Sequence, residues 1–346
     1  MRIVVVTDAW FPQVNGVVRT LDTLRARLER RGHDVVFITP QSFRTVPCPT
    51  YREIRLAVRP SRKMARSIET FQPCIVHIAT EGPLGLSARR YCVRRNIPFT
   101  TAFHTKFPEY VNARLKIPVS WGYAALRWFH KPSRAIMVAT QGVEDELRQW
   151  GFQNIRRWTR GVDTDLFRPQ PKNSLDAVIT GPRPWFVYVG RVAVEKNIEA
   201  FLSLPLPGTK IVVGDGPQLE TLRAKHPSVA FVGEKHGEEL ALHFAVADAF
   251  VFPSRTDTFG LVLLEALACG VPVAAYPVPG PLDVIGEAPV GVLNDDLGQA
   301  ALQALTMAPE ACRAFALTRS WETSVDQFLD NVVPFTPQDF FPGDPD

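Results

Sequence analysis

Short apolar runs recur along the chain, and each gives way to a loop bearing glycine, serine or histidine and then to a segment of helical period. The first run occupies 3–7, passes through the loop 8–16, and enters a segment in which Val17, Val18, Leu21, Leu24 and Leu28 share one helical face before Gly32 ends it. The same pattern predicts strands at 34–39, 54–56, 75–79, 98–103 and 135–139, then at 185–189, 210–213, 230–232, 249–252 and 271–275, with helices between them. Continuously apolar strands that alternate with helices predict parallel sheets covered on both faces. Beyond 292 the pattern is helical and ends in a helix over 321–333, and the Pro-, Asp- and Phe-rich tail 334–346 is expected to be flexible. The proline-rich stretch 160–184 is expected to be a linker, and 346 residues favour two domains, 1–170 and 171–320.

In such sheets ligands bind at the carboxyl ends of the strands, so the polar residues there carry the candidate chemistry. His77 and Glu81 close one strand, and His104 and Lys106 close the next. Asn15-Gly16 reads either as a plain turn or as a place where substrate meets backbone; no G-x-G-x-x-G is present. In the second half, Gly190-Arg191 with Lys196-Asn197 puts two cations where they can converge on an anion, and Gly214-Asp215-Gly216-Pro217 makes a tight turn. The stretch 253–272 reads strand, loop, helix. A helix start at Phe259, Gly260 and Leu261 offers unpaired N–H groups and the positive end of the helix dipole to a phosphate. Asp257 and Glu265 are eight positions apart, a little over two turns, and so lie on roughly one side. Two acids beside an anion site suggest a ligand with both phosphate and hydroxyl groups. The plainer alternative is a strand-loop-helix whose Glu265 merely faces solvent.

Charge divides the chain. Residues 1–170 carry 28 Lys/Arg against 13 Asp/Glu, and residues 171–346 carry 11 against 22. A basic half implies an anionic partner, such as a phospholipid surface, a nucleic acid or a phosphorylated substrate. Arg59, Arg62 and Lys63 in one segment, and Trp121, Trp128 and Lys131 in another, have the composition of a membrane-interface contact, although solvated core helices or single-stranded nucleic acid would use the same residues. Five scattered cysteines without C-x-x-C spacing suggest neither a zinc site nor a disulfide framework, and no run is long and apolar enough to span a bilayer. A reducing, cytoplasmic setting is expected.

These residues, taken in order, resemble the retaining nucleotide-sugar glycosyltransferases of family 4. The resemblance rests on Asn15-Gly16-Val17, Val76-His77-Ile78, Glu81-Gly82-Pro83, Phe103-His104-Thr105, Gly161-Val162-Asp163, Gly190-Arg191 with Lys196-Asn197, Gly214-Asp215-Gly216-Pro217 and 253–272. The family's E-x7-E element is matched by Asp257 and Glu265, the shorter acid keeping the charge and reducing the reach. The resemblance implies an α/β chain of GT-B fold, with two Rossmann-like doubly wound domains facing across a cleft and the helix 321–333 packed back on the first. It implies that Arg191, Lys196 and the N–H groups around Phe259, Gly260 and Leu261 hold the donor diphosphate, that Glu265 meets the ribose and Asp257 the transferred sugar, and that Gly16 lets the first loop approach the ligand. His104 would contact the sugar near the reacting carbon, Val232 and Gly233 would face the nucleobase, and Asn15, His77, Glu81 and Lys106 would lie on the acceptor side.

The expected function is a metal-independent, cofactor-free transfer of a hexose from GDP-mannose or a UDP-hexose or UDP-hexuronate to a lipid or lipid-linked acceptor, by an enzyme peripheral on the inner face of the cell membrane. The segments around Glu81 and Asp257 most resemble diacylglycerol glycosyltransferases and GDP-mannose-dependent α-mannosyltransferases. A soluble acceptor, a sugar-nucleotide 2-epimerase and a non-enzymatic nucleic-acid-binding protein are the alternatives. Asp163-Thr164-Asp165 mimics a metal-binding D-x-D, but its place in the Gly-Val-Asp loop marks it as a turn.

Overall fold

The computed structural model describes residues 1–341 apart from 14, 49–53, 105, 110, 111, 113–115, 257 and 258. The chain forms two compact units, Met1–Thr159 with Ser324–Asp346, and Arg160–Thr323. Among the described residues no helix is long and apolar enough to cross a membrane.

In the first unit the strands are β1 (Arg2–Val6), β2 (Asp34–Ile38), β3 (Thr45–Pro47), β4 (Arg55–Ala57), β5 (Ile75–Ile78), β6 (Thr100–Phe103), β7 (Ile136–Val138) and β8 (Ile155–Arg157). All but β3 and β4 form a parallel sheet in the order β2-β1-β5-β6-β7-β8. The expected strand 54–56 instead forms β4 and pairs antiparallel with β3 in a separate hairpin. Successive side chains of β1 point to opposite faces, so one strand seeds two cores. Ile3 and Val5 pack with Leu21, Leu24 and Leu28 of the helix Gly16–Arg30 and with Val325, Phe328 and Val332 from the end of the chain. Val4 and Val6 pack with Met64, Ile68, Leu84 and Ala88 on the other side. Full burial of one such side chain contributes about 1.5–3 kcal/mol, so these residues tie the far end of the sequence to the first strand.

Part of the tail, 335–341, packs on the first unit. Phe335 donates its N–H to the Cys74 carbonyl at 2.9 Å, its ring meets Phe340 at 5.2 Å, and Phe341 is buried in the cluster around Val4. The aromatic residues supply the apolar area that the proline-rich composition conceals.

The second unit repeats the plan with β9 (Trp185–Val189), β10 (Thr209–Val213), β11 (Ala230–Gly233), β12 (Ala249–Phe252), β13 (Val273–Ala275) and β14 (Gly291–Leu293), ordered β11-β10-β9-β12-β13-β14 and all parallel. The stretch 160–184 packs within this unit: Val162, Phe167, Leu175 and Ile179 are buried in its main core with Trp185 and Phe244. The Arg313 guanidinium holds the same stretch by donating to the Phe167 and Thr164 carbonyls at 2.7 and 2.9 Å.

Candidate functional site

Each sheet has one place where the strand order reverses, between β1 and β5 in the first unit and between β9 and β12 in the second. The loops leaving neighbouring strands diverge there and open a crevice at their carboxyl ends, which is where doubly wound sheets bind ligands.

In the first unit the crevice is organised by Asp8, which follows the apolar β1 and is almost fully buried. Its carboxylate accepts hydrogen bonds from Leu84 N–H at 2.9 Å, Gly85 N–H at 3.2 Å and the Thr80 hydroxyl at 3.0 Å. It thus caps the start of the helix Pro83–Arg94, whose own N-cap residue, Gly82, has no side chain to do so. Burial pushes the Asp8 carboxyl above its ordinary value, and the Glu81 charge adds to that, while the three hydrogen bonds oppose it. The space is tight: a Cβ on Gly82 would sit 2.4 Å from Asp8 Cγ. Glu81, on the same loop, lies 3.3 Å from His130 Nε2, and His130 Nδ1 is 2.9 Å from the Thr101 hydroxyl.

Asn15 caps the helix Gly16–Arg30 by accepting from Val17 and Val18 N–H, both at 3.0 Å, so its amide serves the turn. Gly16 is exposed at the first position of that helix. His104 follows β6, partly exposed, with its ring edge-on to Trp158 at 5.8 Å. Lys106 pairs with Glu146, and the Tyr123 hydroxyl lies 2.9 Å from that carboxylate and 2.7 Å from Glu109. Burial and the two carboxylates push the Tyr123 hydroxyl far above its ordinary value, which keeps it a neutral donor. His77 is displaced from the acceptor side: it is fully buried within β5 in register with Val5, 2.9 Å from the Thr100 hydroxyl and edge-on to Trp158 and Phe328. It is a core residue, as its central place in an apolar run permits. Arg59, Arg62, Lys63, Trp121, Trp128 and Lys131 are exposed.

In the second unit the loop after β9 carries Arg191, exposed and 4.0 Å from Glu195, and Lys196, half-buried in a single turn of 3₁₀ helix. Tyr188 donates its hydroxyl hydrogen to the Arg191 carbonyl at 2.9 Å and fixes the loop's start. Asn197 Nδ2 donates to the Pro253 carbonyl at 3.1 Å and the Thr256 hydroxyl to the Glu195 carbonyl at 3.3 Å, so the loops after β9 and β12 are held together. The adjacent loop after β10 closes on the first. Val192 N–H donates to the Asp215 carbonyl at 2.8 Å, and a Cβ on Gly214 would sit 1.9 Å from the Gly190 carbonyl oxygen. Val232 and Gly233 end the edge strand β11, where the Gly233 carbonyl accepts from Gly214 N–H at 2.9 Å.

The helix Leu261–Ala268 begins at Gly260, whose φ of +78° lets the chain turn sharply from Phe259 into the helix. Glu265 is 3% exposed in a helix otherwise made of leucine, valine and alanine, which removes the solvent-facing alternative. A buried carboxyl group is costly unless hydrogen bonded, which makes Glu265 a candidate site residue. Asp257 lies outside the described residues. Sequence reasoning did not single out Asp8, His130, Glu109 or Glu146; an acid directly after the run 3–7 was the available signal for Asp8.

Both halves of the chain match known protein families. The family described as Glycosyltransferase Family 4 matches residues 14–166, and Glycosyl transferases group 1 matches residues 183–307. The chain is 29% identical to a GDP-mannose-dependent alpha-mannosyltransferase of Mycobacterium tuberculosis over 95% of each chain, and 29% identical to an alpha-monoglucosyldiacylglycerol synthase of Streptococcus pneumoniae over 97% of this chain and 85% of that one. A sucrose-phosphate synthase from Thermosynechococcus elongatus superposes with a TM-score of 0.75 at 21% identity, over 95% of this chain and 97% of its own, a likeness of fold. With both halves matched in order and each built on a doubly wound sheet, the chain belongs to family 4 of the glycosyltransferases and has the GT-B fold.

Proposed function

We propose that this glycosyltransferase moves a hexose, with retention at the anomeric carbon and without a metal ion, from a nucleoside-diphosphate sugar to a lipid or lipid-linked acceptor at the inner face of the cell membrane. The observation that carries the reading is the second unit's switch point, where Arg191, Lys196 and the helix start at Gly260 come from hydrogen-bonded neighbouring loops beside the buried Glu265. Two cations and a helix N-terminus suit a diphosphate, and a buried carboxylate suits ribose hydroxyls. The donors in view are GDP-mannose and the UDP-hexoses or UDP-hexuronates. Two relatives support a GDP-mannose donor and a diacylglycerol-type acceptor by their names, one a GDP-mannose-dependent mannosyltransferase and the other a monoglucosyldiacylglycerol synthase.

Cleavage of the anomeric C–O bond leaves negative charge on the diphosphate and positive charge on the sugar ring. Arg191 and Lys196 stabilise the former, and preorganised groups of this kind supply roughly 10²–10³ in rate each. Asp257 accepts from the transferred sugar's hydroxyls. The acceptor oxygen attacks from the leaving-group face as the anomeric C–O bond to the phosphate breaks, and its proton passes to the departing phosphate oxygen, so the glycoside leaves neutral, the nucleoside diphosphate leaves as an anion carrying that proton, and no enzymic nucleophile is needed. For metal independence the support is local: Asp163 Oδ1 accepts from Asp165 and Leu166 N–H at 3.2 and 3.1 Å, so the first acid of Asp163-Thr164-Asp165 holds a turn. A thermal-shift panel of GDP-mannose, UDP-glucose, UDP-glucuronate and UDP-galactose, followed by transfer assays in EDTA and NMR of the product anomer, tests the reading. One donor raises Tm and supports transfer with retention in EDTA. Release of an epimerised sugar nucleotide without acceptor would identify an epimerase instead.

A further inference from the structure

The helices Ser61–Phe71, Pro83–Arg94 and Val119–His130 lie in one layer, since Met64, Ile68, Leu84, Ala88, Cys92 and Phe129 share a single core cluster with Val4, Val6 and Ile78. What that layer turns outward is unusual in two respects. The three helices carry seven Lys/Arg against a single acid, Glu69, which is itself paired with Arg95 at 2.7 Å. They also expose large apolar side chains in register: Trp121 (71% exposed) and Trp128 (57%) are seven residues apart, two turns on one side of a helix, with the small exposed Ala124 and Ala125 between them. Leu86 and Val93 repeat that spacing on the neighbouring helix, where Arg90 and Arg94 are also exposed.

Arg89 joins the two helices. Its guanidinium donates to the Phe129 and Trp128 carbonyls, both at 2.8 Å, and lies over the Trp128 ring at 3.9 Å, so the indole is held outward rather than left to fold onto the surface. Single exposed apolar residues are ordinary, but two tryptophans, a leucine and a valine in a field of cations form a patch. A nucleic acid would use the charges and the indoles but has no use for outward Leu86 and Val93. An anionic bilayer uses all of them: indoles sit at headgroup level, aliphatic side chains reach the acyl boundary, and the cations meet the surface potential.

We propose that this helical layer docks on an anionic phospholipid surface, with Trp121 and Trp128 inserted at headgroup depth. The proposal gives the lipid-acceptor reading above its physical contact and rests on that reading only for its purpose, because docking is measured without donor or acceptor. Sedimentation of the full chain with phosphatidylglycerol/phosphatidylcholine vesicles, with pure phosphatidylcholine as control, is the test. Binding is expected to the anionic vesicles only, to weaken with added salt, and to shift the tryptophan emission to the blue. Trp121→Ser with Trp128→Ser lowers the partition coefficient on the order of 10-fold or more, and Arg90→Gln with Arg94→Gln lowers it on the order of 30-fold. These positions are exposed, and an unchanged Tm and donor-induced shift would show that the fold and donor site are intact. No vesicle binding at low salt, unaltered binding by both variants, or tighter binding to an RNA or DNA oligonucleotide than to the vesicles would each overturn the proposal.

Discussion

Asp8 and Leu84 are 76 positions apart in sequence, yet the Asp8 carboxylate accepts the Leu84 N–H at 2.9 Å and thereby joins the end of the first strand to the start of the helix Pro83–Arg94. The contact fixes the loop that carries Glu81. Replacing Asp8 by Ala leaves the Leu84 and Gly85 N–H groups buried without that acceptor and should cost about 1–3 kcal/mol, read as a lower urea midpoint. The pH dependence has a definite sign. Because the folded-state value is raised, the group's contribution is fully present below the unfolded value of about 3.9 and is lost as pH rises through the folded value. Relative to Asp8→Asn, the wild type should therefore lose ground as pH rises from about 4. Parallel stability curves for the two proteins would contradict the raised value.

Glu265 and Arg191 should fail in different ways. A hydrogen bond from a ribose hydroxyl to a carboxylate contributes about 1.5–3 kcal/mol, so Glu265→Gln should weaken donor binding on the order of 10–150-fold and appear mainly in KM. Arg191→Ala removes a charge needed most as the diphosphate departs and should appear mainly in kcat, by roughly 10²–10³. Steady-state kinetics with the donor from the thermal-shift panel separates them. An unchanged KM in Glu265→Gln would remove that carboxylate from the donor site.

The thiols divide by burial. Burial pushes Cys92 and Cys269 up to about 12 and Cys312 up to about 11, whereas Cys48 and Cys74 are partly exposed. Since the thiolate is the nucleophile, native protein at pH 8 should alkylate rapidly at Cys48 and Cys74 only, with the other three reacting after denaturation. Mass spectrometry of iodoacetamide-treated protein reads this directly, and early labelling of Cys92 would show that the core around Met64 opens.

Most of the architecture was legible because buried parallel strands announce themselves as apolar runs. The exceptions share a cause. Ile155–Arg157 and Gly291–Leu293 are short strands at sheet edges with one neighbour each, so they carry too little apolar sequence to stand out. The stretch 160–184 was hidden by its prolines, although Phe167, Leu175 and Ile179 supply a buried side chain every few residues. Among candidate site residues, Arg191 and Lys196 lie on the loop after β9 where charge beside glycine placed them, and the burial of Glu265 was not legible, since a lone acid in a helix reads equally well as solvent-facing. His77 and His104 both read as strand-end residues; His77 in fact sits inside the apolar run 75–79, and the register of β5 against β1 and its ring contacts place it against Trp158 and Phe328. Asp8 escaped because its partners are backbone N–H groups far along the chain.

The closeness of Gly214 to the Gly190 carbonyl has a consequence for how such a site can diversify. Any side chain at Gly214 would force the two loops apart, and with them the hydrogen bond from Val192 to Asp215 that sets the path toward Lys196. The junction between the loops after β9 and β10 is therefore closed to stepwise change, since no single substitution at Gly214 leaves both loops in place. The end of the edge strand β11 differs in its cause: nothing lies within 4 Å of a Cβ added to Gly233, and it is the φ of +77°, not crowding, that reserves this position for glycine.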